Sequence, residues 1–185
     1  IFDKFLDKFI SATKALKVGD PMLEDTDVGP VIDNDSADRI MNWIDEALNM
    51  GAKLLAGGQR DGRLIQPTIL TNVPLTCKVS CDEVFGPVVQ IERYKDFDEV
   101  LGWVNDSRFG LQAGVFTKDM KKAFKAYIAL SVGGVIVNDV PSFRVENMPY
   151  GGVKDSGVGR EGVRYAIEEM TELKLMVVNL KNYGA

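Results

Sequence analysis

The sequence predicts an α/β domain built on a parallel sheet with helices on both faces. Three observations predict it. Amphipathic stretches with apolar residues at three-to-four spacing alternate along the chain with short apolar runs. Those runs are near-continuous in apolar character, as strands buried on both faces are. The chain has 185 residues, 45% hydrophobic and 26% charged, enough for one domain with a substantial core.

The elements follow in order. Phe2, Phe5, Leu6, Phe9, Thr13 and Leu16 mark a first helix, ended by Gly19-Asp20-Pro21. A polar connection over 20–35 leads to a second helix from about Ser36 to Met50, with Ile40, Trp43, Ile44, Ala47 and Leu48 inward and Gly51 as its stop. AKLLAGG, TILTNV (68–73) and VVQIERY (88–94) read as strands. Asp96 caps a helix bearing Phe97, Val100, Leu101 and Val104. LQAGVFT (111–117) is a strand, Asp119 caps a helix with Ala123, Phe124, Tyr127 and Ile128, and GVIVN (134–138) is the next strand. A long Gly/Pro-rich loop reaches about Gly159, and a helix covers about 160–170. LKLMVVNL (173–180) closes as an apolar strand without a partner in the chain, which points to an oligomer.

Composition narrows the chemistry. A net charge of −5, without a basic stripe, argues against a nucleic-acid partner. No apolar run is long enough to span a membrane and no signal peptide opens the chain, so a cytoplasmic protein is expected. There is no histidine, which removes His-activated nucleophiles and His-rich metal sites. Cys77 and Cys81 make no metal set by themselves and read as structural thiols in a reduced setting. No metal is expected. The chain opens on Ile1-Phe2, already inside a helical pattern, and reads as a piece of a longer protein.

Two motifs carry chemistry. In CDEVFGPVV (81–89), Glu83 and Phe85 stand two apart before Gly86-Pro87. One reading is a polar loop leading into a buried strand. The other is a nicotinamide-ribose wall: a carboxylate accepts two ribose hydroxyls, a ring packs on the planar head, and Gly-Pro fixes the close backbone. GVGREG (157–162) matches G-x-G-x-x-G, but it follows a long loop rather than a first strand and lacks a later acid at the right distance. Glycines that let a tight loop enter a helix explain it better.

EVFGPVV resembles the conserved segment of the aldehyde dehydrogenase superfamily. VGDPMLEDTDVGPVID (18–33), GAKLLAGGQRDGRLIQPTILTNV (51–73), FGLQAGVFTKD (109–119), GGVIVND (133–139) and MPYGGVKDSGVGREG (148–162) are similar to further family motifs, in family order and spacing. The resemblance implies a Rossmann-like catalytic domain over 1–171 and a C-terminal oligomerisation strand and tail over 172–185. It also implies NAD or NADP as cofactor, a small aldehyde as substrate, and a homodimer or homotetramer joined through the terminal strand. Glu83 would hold the nicotinamide ribose and Phe85 would contact the nicotinamide. Tyr150 would line the aldehyde tunnel, and Glu161 would lie on the proton-exit path, although a first-turn acid favoured by the helix dipole is an equal reading.

The family's nucleophilic cysteine, which forms a thiohemiacetal and then a thioester, would lie before Ile1. So would the general-base Glu, the oxyanion-stabilising Asn and the dinucleotide-binding domain. Alone, the chain is therefore expected to be inactive and to need the N-terminal part of the same protein. Phe143 and Arg144 fall where the family's tunnel mouth varies. The variant resembles subgroups acting on lactaldehyde, on glyceraldehyde 3-phosphate without phosphorylation, or on phosphono- and sulfo-aldehydes. Arg144 would pair with an anionic group on the aldehyde; a solvated loop arginine is the alternative. Other readings of the chain are a non-catalytic α/β scaffold domain, or an acyl-CoA-forming or acyl-phosphate-reducing member of the superfamily.

Overall fold

A computed structural model describes residues 1–181. The chain gathers into two compact units that divide after Lys95.

In the first unit, α1 (Phe2–Ala15) has the expected apolar stripe, yet none of its residues is fully buried. α2 (Asn34–Asn49) starts at Asp33, whose carboxylate accepts the Ser36 amide at 2.7 Å. Hydrogen bonds from the Ser36 side chain and amide hold the Asp33 carboxyl below its ordinary range. Three-to-four spacing puts Ala37, Ile40, Ile44 and Ala47 on one face, and all four are buried. They pack with Ile65, Leu70, Val73, Cys77 and Val79 as the core of this unit. β1 (Lys53–Ala56) leads to a hairpin of β2 (Arg60–Asp61) and β3 (Leu64–Ile65), then to β4 (Thr68–Thr71). A one-turn helix, α3 (Lys78–Cys81), precedes β5 (Val88–Gln90). The sheet order is β1-β4-β5.

In the second unit, α4 (Phe97–Asp106) is capped by Asp96, which accepts the Asp98 and Glu99 amides. β6 (Phe109–Gly110) and β7 (Gln112–Val115) follow, then α5 (Met120–Ala129), capped by Asp119. β8 (Gly134–Val137), β9 (Val153–Lys154) and α6 (Val163–Met170) complete it. Leu101, Ala126 and Leu130 form its small buried core.

The α/β class is as expected, and two strand pairs, β4 with β5 and β7 with β8, are parallel. The sheets are nevertheless mixed. β1 pairs antiparallel with β4, and β6 with β9. Between β1 and β4 the chain makes a hairpin and no helix, so it lacks the crossover a parallel return needs. β7 and β8 are linked through α5, and they are parallel. Burial on both faces comes close to complete only for β4 among these strands, with Thr68, Ile69 and Leu70 buried.

On α5 the buried residues are Ala123 and Ala126, while Phe124, Tyr127 and Ile128 are exposed. The apolar run at 173–180, expected to pair with another subunit, forms no ladder within this chain; Leu173, Leu175, Met176 and Leu180 stand exposed. An apolar run becomes a strand only when another backbone takes its hydrogen bonds. The last four residues of the expected tail, 182–185, lie outside the described residues. Among the described residues, no helix is long and apolar enough to cross a membrane.

Candidate functional site

The Glu83–Phe85 loop belongs to the first unit, and its backbone is tied down at several points. Cys77 is fully buried at the start of α3, with its thiol 3.5 Å from the Met50 sulfur. Burial, then the nearby Glu46 and Cys81, pushes the Cys77 thiol up, away from the thiolate form a nucleophile needs. Past α3, the Val84 carbonyl accepts the Arg39 guanidinium at 2.9 Å, and Arg39 itself lies over the Trp43 ring at 4.6 Å. Gly86 sits so close to α2 that a Cβ there would come within 2.5 Å of Ile40 Cδ1. The Pro87 carbonyl accepts the Thr68 amide at 2.8 Å and starts the β4–β5 ladder.

Phe85 therefore sits between fixed points, with φ +49° and 74% of its surface exposed. A left-handed aromatic is strained, and nothing in this unit's core calls for it. Glu83 is exposed on the same loop. Held backbone, outward ring and nearby carboxylate fit a flat aromatic ligand bearing a diol.

The second set lies in the other unit. Asn138, just past β8, is a left-handed residue at φ +62° whose side-chain oxygen accepts the Thr117 amide at 2.8 Å. The loop then folds back on Gln112. The Gln112 amide nitrogen donates to the Pro141 carbonyl at 2.6 Å and to the Phe143 carbonyl at 3.3 Å. Two carbonyl acceptors fix that orientation, and they leave Gln112 Oε1 buried without a partner among the described residues. Phe143 is 44% exposed.

Arg144, Tyr150 and Glu161 do come together. The Arg144 guanidinium contacts the Glu161 carboxylate at 3.0 Å and covers the Tyr150 ring at 4.7 Å. Tyr150 and Glu161 are themselves joined by backbone, with the Tyr150 amide donating to the Glu161 carbonyl at 3.1 Å and the reverse bond at 2.6 Å. Glu161 is not in the first turn of α6; it precedes Gly162, the N-cap residue. Its carboxylate is engaged by Arg144. Gly162, at φ +107°, lies under the Met148 carbonyl, where a Cβ would approach to 2.8 Å. The GVGREG glycines thus serve a tight entry into a helix, as expected.

Sequence reasoning missed Arg39 and Gln112. Each acts across a separation of at least 29 residues, on backbone carbonyls, and no local motif announces such a contact. Among the described residues, no group of three or more His, Cys, Asp or Glu side chains is placed to hold a metal ion.

The model of the aldehyde dehydrogenase family matches residues 1–176. A 3-sulfolactaldehyde dehydrogenase from Priestia aryabhattai is 53% identical over 180 residues, covering 97% of this chain and 38% of its own. The crystal structure of aldehyde dehydrogenase 21 from Physcomitrella patens, in complex with the reaction product succinate, superposes with a TM-score of 0.95 at 46% identity, over 98% of this chain and 38% of that one. A glyceraldehyde-3-phosphate dehydrogenase from Methanocaldococcus jannaschii, complexed with NADP, gives a TM-score of 0.89 at 44% identity, over 93% and 37%. The chain thus spans well under half the length of the relatives it matches.

Proposed function

The chain belongs to the aldehyde dehydrogenase family, and on that premise we propose that it is the C-terminal part of an NAD(P)-dependent dehydrogenase of a small anionic aldehyde. The nucleophile and general base are supplied by sequence outside these residues. Neither Cys77, buried and shifted up, nor Cys81, exposed at the end of α3, takes that role.

The observation that carries the reading is Phe85: an exposed aromatic kept in a left-handed conformation between pinned neighbours. Such strain persists where it presents a side chain to a ligand. When bound, the nicotinamide cofactor supplies the hydride acceptor. Glu83 would accept hydrogen bonds from the ribose hydroxyls, and Phe85 would pack against the nicotinamide and shield it from water. In the other unit, Arg144 meets the charged end of the aldehyde, while Phe143 and Tyr150 line its path. Relatives acting on sulfolactaldehyde and glyceraldehyde 3-phosphate, and one holding succinate, support an anionic substrate. Glu161 stands on the proton-exit path. Residues 173–180 join the sheet of a second copy, in a cytoplasmic homodimer or homotetramer.

The test is an aldehyde panel with NAD⁺ and NADP⁺ on the full-length protein. Glu83→Gln should raise the KM for the cofactor about tenfold, the scale of one lost charged hydrogen bond. Absence of NAD(P)-dependent oxidation, or an unchanged cofactor KM in Glu83→Gln, would sink the reading.

A further inference from the structure

We propose, resting on the Arg144 reading above, that Glu161 sets the charge of the group this cluster accepts: a monoanionic sulfonate or carboxylate in preference to a dianionic phosphate. Arg144 has a planar fork of donors. Glu161 takes one edge of it at 3.0 Å, and Tyr150 covers one face at 4.7 Å. An oxyanion is left the remaining edge, in a fixed orientation, with a carboxylate just behind the cation.

That arrangement is close to neutral as a pair. A second negative charge gains little from it, because Glu161 offsets much of the potential of Arg144. The cost of stripping water from an anion rises with the square of its charge, whereas the gain from the site rises only in proportion. A weak positive potential therefore selects the monoanion. Segment 138–162 has two other cations, and both face backbone carbonyls: Lys154 donates to Asn105 and Ser107 at 2.9 Å, and Arg160 to Gly152 at 2.9 Å and Gly159 at 2.6 Å. Asp139 and Glu146 add further negative charge to the same loop.

The experiment compares kcat/KM of the full-length enzyme for 3-sulfolactaldehyde, glyceraldehyde 3-phosphate and uncharged glyceraldehyde, near pH 8. Wild type should favour the sulfonate over the phosphate. Glu161→Gln should move that quotient about threefold to tenfold toward the phosphate, the effect of deleting one screened charge a few ångströms away. Glu161→Asp should keep it. The quotient cancels any loss common to all substrates, including impaired proton exit. Arg144→Ala should lower both anions relative to glyceraldehyde. If Glu161→Gln has too little turnover, calorimetric binding of 3-sulfolactate and 3-phosphoglycerate reads the same quotient. A wild type preferring phosphate, or a quotient unmoved in Glu161→Gln while Arg144→Ala still discriminates, overturns the role of Glu161 alone. Anions unaffected by Arg144→Ala overturn the Arg144 reading with it.

Discussion

The loop around Phe85 and the loop around Arg144 present functional side chains in opposite ways. In the first, the backbone is fastened and the side chains are left out: Arg39, Ile40 and Thr68 hold Val84, Gly86 and Pro87, while Phe85 stands 74% exposed. In the second, the side chains fasten one another: Arg144, Tyr150 and Glu161 share an ion pair, a ring contact and a backbone bridge. A planar cofactor face needs a fixed surface. Charge selection needs a balanced set of charges. The difference teaches that one protein fixes a binding surface by its frame in one place and by its occupants in another.

The largest effect that separates the two regions comes from their glycines. A Cβ on Gly133 would stand 1.7 Å from the Gly151 carbonyl, next to Tyr150. That neighbour is backbone and cannot turn aside, so Gly133→Ala should cost about 3 kcal/mol, at the upper end for overpacking. A Cβ on Gly86 meets only the tip of Ile40 at 2.5 Å. Because Ile40 is fully buried, it yields at some cost, and Gly86→Ala should cost about 1–2 kcal/mol. Urea unfolding of both variants checks the order. Equal losses, or a greater loss at Gly86, would break the contrast.

A smaller effect tests the frame of the first loop. Arg39→Ala removes the bond to Val84 and the stack on Trp43, and should cost about 1–2 kcal/mol. It should also raise the cofactor KM in the full-length enzyme, although Arg39 itself holds only backbone. An unchanged KM would mean that the Phe85 loop keeps its shape without that pin.

Legibility in the sequence follows the range of the forces involved. The caps at Asp96 and Asp119 and the burial of Ile40, Ile44 and Ala47 were readable, since period and cap chemistry act within a turn. Glu83, Phe85, Arg144, Tyr150 and Glu161 stood out through their motifs. What could not be read was which of them would touch. The Arg144–Glu161 pair depends on the β8 exit, on Gln112 holding 141–143, and on the Tyr150 bridge, three non-local facts. The outward face of α5 and the exposed 173–180 run mark the limit of such a reading. Periodicity marks an apolar face but does not say that this chain covers it.

The smallest effect is the sharpest test of the second loop. Arg144 and Glu161 keep 41% and 62% of their side-chain surface exposed, so water screens the pair and its contribution to folding is small. A double-mutant cycle of Arg144→Ala and Glu161→Gln in urea should give a coupling of about 0.2–1 kcal/mol. The same cycle read in kcat/KM for an anionic aldehyde should show larger coupling, because the bound oxyanion excludes water and lowers the local screening around both charges. Coupling well above about 2 kcal/mol in stability would mean the pair holds the loop together rather than tuning what it binds. Equal coupling in the two readouts would mean that Glu161 acts only by keeping Arg144 in place.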